Sequence, residues 1–331
     1  MRFGKENLAS ACDPVTGDAP VEVPLASAKN APGVTPTSAN ICAVVVTYFP
    51  EAGLLTRLRA IQPQVGCLVV IDNGSAGQIS EDLYQAELDL GAQVIRNKVN
   101  RGIAAALNQG ARYAANRGYQ WFLALDQDTL VAENLVVSLS AAHKEFHLRD
   151  KLAVIASNYR DVRTEYELVD RTRNDLPCWQ EVPMAITSGS LFSLSAFRTI
   201  GPFREEFFID GVDFEYCLRA RRHAFKVILA CKAFTQHAIG AATSHKLPFR
   251  QRKVFTANHS PLRRYYMARN QMVLAREYLW SQTTPTATML YGHAKIFILM
   301  LLFDHEVARK LRLTALGLWD GLFGNFDRRL T

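Results

Sequence analysis

The amino-acid sequence predicts an α/β fold, in which a mostly parallel central sheet is flanked by helices and followed by a helical C-terminal region. Short β-branched runs alternate with helical segments between residues 41 and 125, which is the pattern of right-handed βαβ units. The runs are apolar throughout, as expected for strands of a parallel sheet that is covered on both faces. Beyond residue 261 the sequence predicts only helices.

Four strands and two helices are predicted in the first half of the chain. The strands cover residues 41–47, 67–71, 92–96 and 121–125. The helices cover residues 51–61 and 102–116, and Asn100 is placed to cap the second one. The second half is less regular, and no internal repeat is found in it. Its predicted strands cover residues 152–157, 185–194 and 226–230, and its predicted helices cover residues 211–222, 262–280 and 286–322.

Composition divides the chain into three parts. Residues 1–40 are rich in Ala, Pro, Ser and Thr without an apolar period, so we predict a disordered leader. The sheet domain then covers residues 41–240, and the helical region covers residues 241–331. Residues 161–183 are polar and are predicted to form an excursion over the sheet.

Bulk properties exclude several classes of protein. The six cysteines are scattered without a Cys-x-x-Cys pair, which favours free thiols in a reducing compartment and hence a cytoplasmic protein. The net charge of +7 suits an anionic substrate or a membrane surface. We expect no nucleic-acid partner, because no nucleic-acid-binding motif accompanies the charge. No window reaches eighteen apolar residues, and the longest apolar stretch covers residues 296–303.

Two carboxylates one residue apart, Asp126 and Asp128, follow the apolar run 121–125. Acidic residues at this point lie at the carboxyl edge of the sheet, where open α/β sheets bind ligands. Because neighbouring carboxylates repel each other, a divalent cation that bridges to a diphosphate is their usual partner. An isolated Asp-x-Asp triplet is more often a solvated turn, so its meaning depends on the surrounding motifs.

Two further polar segments end or begin predicted elements. Asp72 ends the second strand and could accept a hydrogen bond from a pyrimidine N–H or a ribose hydroxyl. The alternative is that residues 72–75 only form a turn, which their composition favours without any ligand. Residues 100–102 open a helix, whose N-terminus attracts anions, and Gly102 would let a ligand approach the backbone closely. Ordinary helix capping is the alternative explanation.

Three acids begin the helix predicted over residues 211–222. Asp210, Asp213 and Glu215 follow two phenylalanines, and a carboxylate that is removed from water makes a better general base. The alternative is that these acids only stabilise the helix, by interacting with the positive end of its dipole. His237 ends a strand-like segment and could complete a metal site, although a lone histidine is more often structural.

Taken together, these motifs resemble the family 2 glycosyltransferases with the GT-A fold over roughly residues 41–240. The matching segments are residues 44–47 (VVVT), 72–75 (DNGS), 100–104 (NRGIA), 108–110 (NQG), 126–128 (DQD), 188–190 (SGS) and the acidic helix start with Leu218 and Arg219. Within that family the chain is similar to bacterial rhamnosyltransferases. Residues 259–270 (HSPLRRYYMARN) are part of this similarity. Residues 316–322 (LGLWDGL) extend the similarity to the rhamnosyltransferases of rhamnolipid synthesis.

This resemblance implies an inverting transfer of L-rhamnose from dTDP-β-L-rhamnose to the rhamnose of a mono-rhamnolipid. It implies Asp213 as the base, and Asp128, Asp126 and His237 as ligands of Mg²⁺ or Mn²⁺. It assigns acceptor contacts to Ser188, Gly189 and Asp210. The implied nucleotide-sugar contacts are Thr47, Asp72, Asn73, Arg101, Gly102, Asp126, Gln127, Arg263, Arg264 and Tyr266. One departure is that Val212 stands where many members carry a glutamate before the aspartate.

Other functions stay open at this point. A rhamnosyltransferase of lipopolysaccharide or capsule assembly would share the donor-side motifs. A non-catalytic subunit would be expected to lack Asp128 or Asp213, and both are present. A nucleotidyltransferase would need a Gly-rich basic loop after the first strand, which residues 48–53 do not supply.

An amphiphilic acceptor would also place the enzyme at a membrane. The apolar stretch 296–303 is followed by Arg309, Lys310 and Arg312, a combination that favours an anionic lipid surface. We therefore expect peripheral association with the inner face of the cytoplasmic membrane. A core helix packed on the catalytic domain is the equally weighted alternative.

Overall fold

The computed structural model describes residues 32–75, 81–170, 172–173, 175–237, 243–246, 253–256 and 258–328. Residues 1–31 of the predicted leader lie outside the described residues. The end of the predicted leader is in contact with the domain, because the Trp121 ring N–H donates to the carbonyl of Val34 at 3.0 Å. A short 3₁₀ turn, Ser38–Asn40, then leads into the first strand.

A large mixed sheet forms the centre of the molecule. Its strands are β1 (Ile41–Thr47), β2 (Cys67–Asp72), β3 (Gln93–Arg96), β4 (Trp121–Asp126), β5 (Leu130–Val131), β6 (Leu152–Asp161), β7 (Trp179–Glu181), β8 (Ser190–Ser193) and β9 (Lys226–His237). The strand order is β3-β2-β1-β4-β8-β6-β9-β5, with β7 paired to β9. Two more strands, β10 (Thr243–Lys246) and β11 (Lys253–Thr256), form a separate antiparallel pair.

Helices cover both faces of the sheet. They are α1 (Leu54–Ile61), α2 (Glu81–Leu90), α3 (Ile103–Asn116), α4 (Leu135–Glu145), α5 (Leu194–Ile200) and α6 (Val212–Arg222). The C-terminal region contributes α7 (Pro261–Tyr278), α8 (Thr283–Phe303) and α9 (Val307–Phe323). Two buried apolar clusters result, one on each side of the sheet.

The parallel part of the sheet confirms the first-half prediction. Strands β3, β2, β1 and β4 run parallel to one another, and each begins within one residue of its predicted start. Every residue of β1 is buried, as the continuous apolar run predicts. Helix α3 lies close against this strand, since a Cβ on Gly110 would be 2.1 Å from a methyl carbon of Val44.

The structure differs from the sequence prediction in several places. The predicted strand 185–194 is only β8, because α5 begins directly after it and Ser193 accepts a hydrogen bond from the Ala196 N–H as its N-cap. Strand β9 extends well past the predicted residue 230, to His237. Helices α2, α4 and α5 are additional to those predicted.

The predicted single helix over residues 286–322 is wrong. The structure has two helices there, α8 and α9, with a turn between them at Asp304. The Asp304 side chain is buried and accepts from Lys310 at 2.8 Å and from Arg264 at 3.4 Å. A buried carboxylate needs such partners, and its burial at this point fixes where the chain turns back.

Glycines let α9 pack closely on α7. A Cβ on Gly317 would be 2.3 Å from the carbonyl oxygen of Tyr265, and one on Gly321 would be 2.3 Å from that of Arg269. Both glycines lie in the segment 316–322, which the sequence singles out by its motif. The Asp320 carboxylate between them is buried and accepts from the Tyr265 hydroxyl at 2.8 Å.

Among the described residues, one helix is long and apolar enough to cross a bilayer by length and composition. It is α8, and little of its apolar window is buried inside the protein. This helix is longer than the apolar stretch 296–303 noted in the sequence.

We predict that Gly321→Ala destabilises the protein by about 1–3 kcal/mol, the usual cost of overpacking, because the new methyl group would push α9 away from α7. The control is Gly292→Ala in α8, where a Cβ meets nothing within 4 Å. That change should stabilise the protein by about 0.5–1 kcal/mol, because glycine is a poor helix former. Urea unfolding of both variants provides the measurement. An equal gain for the two variants would contradict the close α7–α9 packing.

Candidate active site

The candidate site lies at the carboxyl edge of the parallel strands. Thr47 at the end of β1 pairs in register with Asp72 at the end of β2, and Val46 pairs with Asp126 at the end of β4. This edge, where parallel α/β sheets bind ligands, is where the sequence places the polar motifs. A cavity of about 580 Å³ opens there, within the size range of small-molecule sites.

Thr47 and Asp72 form the floor of this edge. Both side chains are buried, and the Thr47 hydroxyl lies 3.4 Å from a carboxylate oxygen of Asp72. Asp72 also accepts a 2.5 Å hydrogen bond from the Ser75 hydroxyl, which in turn accepts from the backbone N–H of Phe49. Asp72 thus holds the turn that follows β2, while Thr47 lines the cavity.

Asn73 connects this turn to the start of α3. Its amide donates to the side chain of Asn100 at 3.0 Å and to the carbonyl of Gly102 at 3.1 Å, and its oxygen accepts from the backbone N–H of Arg101. Asn73, Asn100 and Gly102 line the cavity, whereas the Arg101 side chain is exposed to solvent.

The N-terminus of α3 differs from its predicted form. The helix N-cap is Gly102, and Asn100 accepts from the Gly102 N–H instead of capping the helix. Gly102 has a φ of 83°, and a Cβ there would be 2.6 Å from the carbonyl oxygen of Phe208. The Ile103 N–H donates to that same carbonyl. The close approach that Gly102 permits is therefore made by the 207–210 segment of the protein.

Asp126, Asp128 and His237 come together as the sequence predicts. One ligand atom from each residue lies within 4.8 Å of those of the other two. Nδ1 of His237 lies 3.3 Å from a carboxylate oxygen of Asp128. The Asp128 side chain is 39% exposed, so this carboxylate is open to the cavity.

Burial and neighbouring charges both act on the pKa values of this group. Burial raises the pKa of Asp126, and the charge of Asp128 adds to that effect while His237 and Arg263 oppose it. Burial lowers the pKa of His237, but its hydrogen bond to Asp128 and the charges of Asp126 and Asp161 outweigh burial and raise it overall. Two carboxylates and an imidazole around one point are a suitable donor set for Mg²⁺ or Mn²⁺.

Ser188 and Gly189 lie next to the group formed by Asp126, Asp128 and His237. The buried Ser188 hydroxyl accepts from the Asp126 N–H at 2.9 Å and shares a 2.6 Å hydrogen bond with Thr129. Gly189 has a φ of 79°, and a Cβ there would be 2.2 Å from the Ser157 hydroxyl. Neither residue lines the cavity, and the Ser188 hydroxyl is engaged by the Asp126 backbone and Thr129.

Gln127 fixes the turn between the two acids. Its side-chain oxygen accepts from the Tyr48 N–H at 2.7 Å, and its carbonyl accepts from the Arg57 guanidinium at 2.6 Å. The turn is therefore tied to the loop after β1 and to α1.

Asp213, the predicted base, lies in the first turn of α6 and lines the cavity. Burial raises its pKa from its ordinary value of 3.8 to about 7, and the charges of Asp210 and Asp126 add to the effect. The N–H of Phe214 donates to its carboxylate at 2.9 Å and lowers the pKa in part. A carboxylate with a pKa near neutrality accepts a proton readily at physiological pH.

Asp210 is paired with Arg263. The guanidinium donates two hydrogen bonds of 2.9 Å to the carboxylate, the geometry of a bidentate pair, and both side chains line the cavity. Asp210 has a φ of 63°, and Gly211 after it also lies in the left-handed region. The side-chain amide of Asn270 donates to the carbonyls of Phe207, Ile209 and Asp210 at 2.8–2.9 Å and holds this segment in place.

Three other residues that the sequence connects with the site face elsewhere. Arg264 is buried against Asp304 at the turn between α8 and α9, away from the cavity. Tyr266 stacks on Phe208, a cavity residue, at a ring distance of 5.1 Å. Glu215 is buried and held by two hydrogen bonds of 2.9 Å from Arg219 and by the Tyr278 hydroxyl.

Six cavity residues in the C-terminal helices were not assigned a role from the sequence. They are Met267, Asn270, Gln271 and Leu274 on α7 and Met289 and His293 on α8. Of these, Met267 and Asn270 belong to the motif recognised within residues 259–270. No sequence pattern connects the others to a site, because only the tertiary packing brings α7 and α8 to the cavity.

Comparisons with known proteins agree with this geometry. Residues 42–201 match the model of a family described as glycosyl transferase family 2. The dTDP-rhamnosyl transferase RfbF of Shigella flexneri is 30% identical over 256 residues, which cover 72% of this chain and 81% of that protein.

Two solved structures share the fold. GalNAc-T7, crystallised with UDP, GalNAc and Mn²⁺, has a TM-score of 0.52 and 17% identity over 72% of this chain. TarS of S. aureus has a TM-score of 0.51 and 14% identity over 80% of this chain. This chain spans 49% of the first solved chain and 44% of the second. These structures confirm the predicted GT-A fold, with its mixed sheet and helical C-terminal region.

We predict that Asp213→Asn stabilises the fold in a pH-dependent way. Folded wild type keeps the Asp213 proton up to a pH of about 7, whereas the unfolded chain releases it near 3.8. Between these two pH values the free energy of unfolding of the wild type falls as pH rises, so the protein becomes less stable. The gain in melting temperature of the variant should therefore grow through this window and stay constant above it.

Thermal unfolding between pH 4 and pH 9, without added metal or nucleotide, measures this difference. Asp89→Asn serves as the control, because Asp89 forms an exposed pair with Arg59 and should give a small, flat difference. A gain for Asp213→Asn that does not vary with pH would contradict the raised pKa.

Proposed function

The chain belongs to glycosyl transferase family 2, and we propose that it is a rhamnosyltransferase that transfers L-rhamnose from dTDP-β-L-rhamnose to a saccharide of lipopolysaccharide or capsule assembly. The observation that carries the donor is the 30% identity to the dTDP-rhamnosyl transferase of Shigella flexneri, which spans 81% of that protein. The second candidate acceptor is a mono-rhamnolipid, which the likeness of residues 316–322 to rhamnolipid enzymes favours.

The donor binds along the carboxyl edge of the sheet in this proposal. Thr47, Asn73 and Gly102 line the part of the cavity near β1 and β2, where the thymidine and ribose lie. The diphosphate lies toward Asp126 and Asp128. Arg263 also lines the cavity and supplies a positive charge for the diphosphate, while its pair with Asp210 fixes its direction.

Asp126, Asp128 and His237 would hold a divalent metal. Such an ion, when bound, neutralises charge on the diphosphate and so makes dTDP a better leaving group. The residues themselves fit this role, since Asp128 faces the cavity and the Asp126 turn is fixed by Ser188 and Gln127.

Asp213 is the base in the proposed reaction. The acceptor hydroxyl oxygen forms a bond to the anomeric carbon, and its proton passes to the Asp213 carboxylate. The bond between that carbon and the diphosphate oxygen breaks, and its electron pair leaves with dTDP, so the anomeric centre is inverted. The two neighbouring acids, Asp210 and Glu215, are less suited to be the base, because each forms an ion pair, Asp210 with Arg263 and Glu215 with Arg219.

A transfer assay tests the function. Wild type is incubated with dTDP-L-rhamnose and, separately, with a mono-rhamnolipid, octyl α-L-rhamnopyranoside or rough lipopolysaccharide, and products are identified by mass. A gain of one deoxyhexose on lipopolysaccharide or the octyl rhamnoside, but not on the rhamnolipid, supports the first candidate acceptor. No transfer from dTDP-L-rhamnose, and no binding of dTDP, would contradict the proposed donor.

We predict that Asp213→Asn lowers kcat by about 10²–10⁴-fold, the usual contribution of a general base. Its affinity for dTDP should stay within about twofold of wild type, because the base acts on the acceptor. Initial rates and calorimetric titration with dTDP provide the two measurements. Asp89→Asn, an exposed change far from the cavity, serves as the control. Near-normal turnover would move the base role to Asp210 or Glu215.

We predict that Asp128→Ala weakens binding of dTDP-L-rhamnose and lowers activity, and that EDTA has the same effect on wild type. The physical reason is that the diphosphate then loses the cation that this carboxylate helps to hold. Activity should return to wild type, but not to the variant, on adding Mg²⁺ or Mn²⁺. Full activity after exhaustive chelation would exclude the metal and leave Arg263 as the charge stabiliser.

We also propose that α8 and α9 contact an anionic membrane surface. These helices expose several apolar side chains, among them Ile298, Leu302, Trp319, Leu322 and Phe323. Lys295, Arg309 and Arg312 are exposed near them. Lys310, which the sequence analysis included among these basic residues, is instead buried against Asp304. Tryptophan and basic residues beside apolar ones are typical of peripheral lipid contacts.

We predict that the protein floats with anionic liposomes at low salt and separates from them at high salt. A variant with Leu302→Ser and Trp319→Ser should stay at the bottom of the gradient, since it loses exposed apolar area. Leu88→Ser, which removes an exposed leucine from α2, is the matched control. Wild type that does not float at low salt would contradict the membrane contact.

A further inference from the structure

The C-terminal helices supply a wall of the cavity that the proposed chemistry does not use. Gln271 of α7 and His293 of α8 line the cavity together with Leu274 and Met289. His293 and Asp210 line the same cavity, and the charge of Asp210 acts to raise the pKa of His293. Of the predicted acceptor contacts, Asp210 lines the cavity whereas Ser188 and Gly189 do not, which makes this wall a candidate for further acceptor contacts.

Gln271 and His293 are hydrogen-bonded to each other across the two helices, through Nε2 of Gln271 and Nδ1 of His293. Because the amide nitrogen can only donate, Nδ1 accepts and the ring proton lies on Nε2. Within the part of the chain that the structure describes, no residue is hydrogen-bonded to Nε2 of His293 or to the amide oxygen of Gln271. The pair therefore offers the cavity one donor and one acceptor.

The wall is uncharged. Burial lowers the pKa of His293 to about 4, and the charge of Arg264 contributes in the same direction. A neutral imidazole beside a side-chain amide suits hydroxyl groups better than phosphate. The side chains of Leu274 and Met289 next to it are buried and apolar. Hydrogen-bonding groups beside apolar ones match a sugar ring, which has hydroxyls at its edge and C–H groups on its face.

We propose that Gln271 and His293 bind ring hydroxyls of a terminal 6-deoxyhexose on the acceptor, and that Met289 contacts its methyl group and C–H face. The inference rests on the proposed function, because it places this sugar where its free hydroxyl meets Asp213.

The position of the wall on α8 also suits an acceptor attached to a lipid. Leu302 lies nine residues after His293 on the same helix, which is about 14 Å at a rise of 1.5 Å per residue. The helix is exposed and apolar around Leu302. A sugar held at His293 could therefore stay attached to a lipid chain at the far end of the helix.

The test compares His293→Ala and Gln271→Ala with wild type, using octyl α-L-rhamnopyranoside as acceptor. Each variant should raise the acceptor KM by about tenfold, the order expected for a lost hydrogen bond. The KM for dTDP-L-rhamnose, the affinity for dTDP and the melting temperature should change little. His293→Gln, which keeps an N–H donor, should restore part of the acceptor affinity. His305→Ala, at an exposed histidine after α8, is the matched control.

The results separate failure of this inference from failure of the proposed function. An unchanged acceptor KM in both variants, or an equal rise in donor KM, would overturn the inference. The proposed function would still be supported if wild type transfers rhamnose. Wild type that binds dTDP but does not use the octyl rhamnoside would overturn the assignment of a 6-deoxyhexose. Wild type that neither binds dTDP nor transfers rhamnose would overturn both proposals.

Discussion

The geometry of the cavity depends on the side-chain amide of Asn270. Its two N–H groups serve three carbonyls, those of Phe207, Ile209 and Asp210, and the residue itself is buried. The segment it holds has left-handed backbone at Phe208 and Asp210, which costs conformational energy without outside support. Because α6 and Asp213 follow directly, the C-terminal helix α7 sets the position of the proposed base. The helical region is thus a structural part of the site.

Several carboxylates converge on one cavity, and their mutual repulsion explains much of the surrounding structure. Asp126 and Asp213 both have raised pKa values, first because they are buried and then because other acids lie near them. Arg263 offsets Asp210, and His237 offsets Asp128. One more cation near Asp126 and Asp128 would relieve the remaining repulsion, which gives the proposed metal a physical reason beyond the motif.

Much of the proposed donor side could be predicted from the sequence, because it depends on short-range patterns. Continuous apolar runs gave the parallel strands, and parallel strands bring their carboxyl ends to one edge, so Thr47, Asp72 and Asp126 were placed correctly. The proposed acceptor side depends on contacts that no local pattern contains. Ser188 looked like a ligand contact, but its hydroxyl serves the Asp126 backbone. The break between α8 and α9 coincides with buried Asp304, and His293 reaches the cavity through the packing of α8 beside α7.

The proposed donor contacts and the proposed acceptor contacts belong to different parts of the fold. The acids and the strand ends that would handle the donor belong to the sheet, whereas Gln271, Met289 and His293 belong to two helices packed on it. Asn270, one residue before Gln271, ties α7 to the base segment, so α7 has little freedom to move. Helix α8 is held at its ends, where Gln282 is hydrogen-bonded to α6 and Asp304 to Arg264 of α7. In its middle, the Gln271–His293 bond joins it to α7. In this proposal, substitutions in the middle of α8 would therefore alter which sugar is accepted while Asp213 and the proposed metal ligands keep their positions.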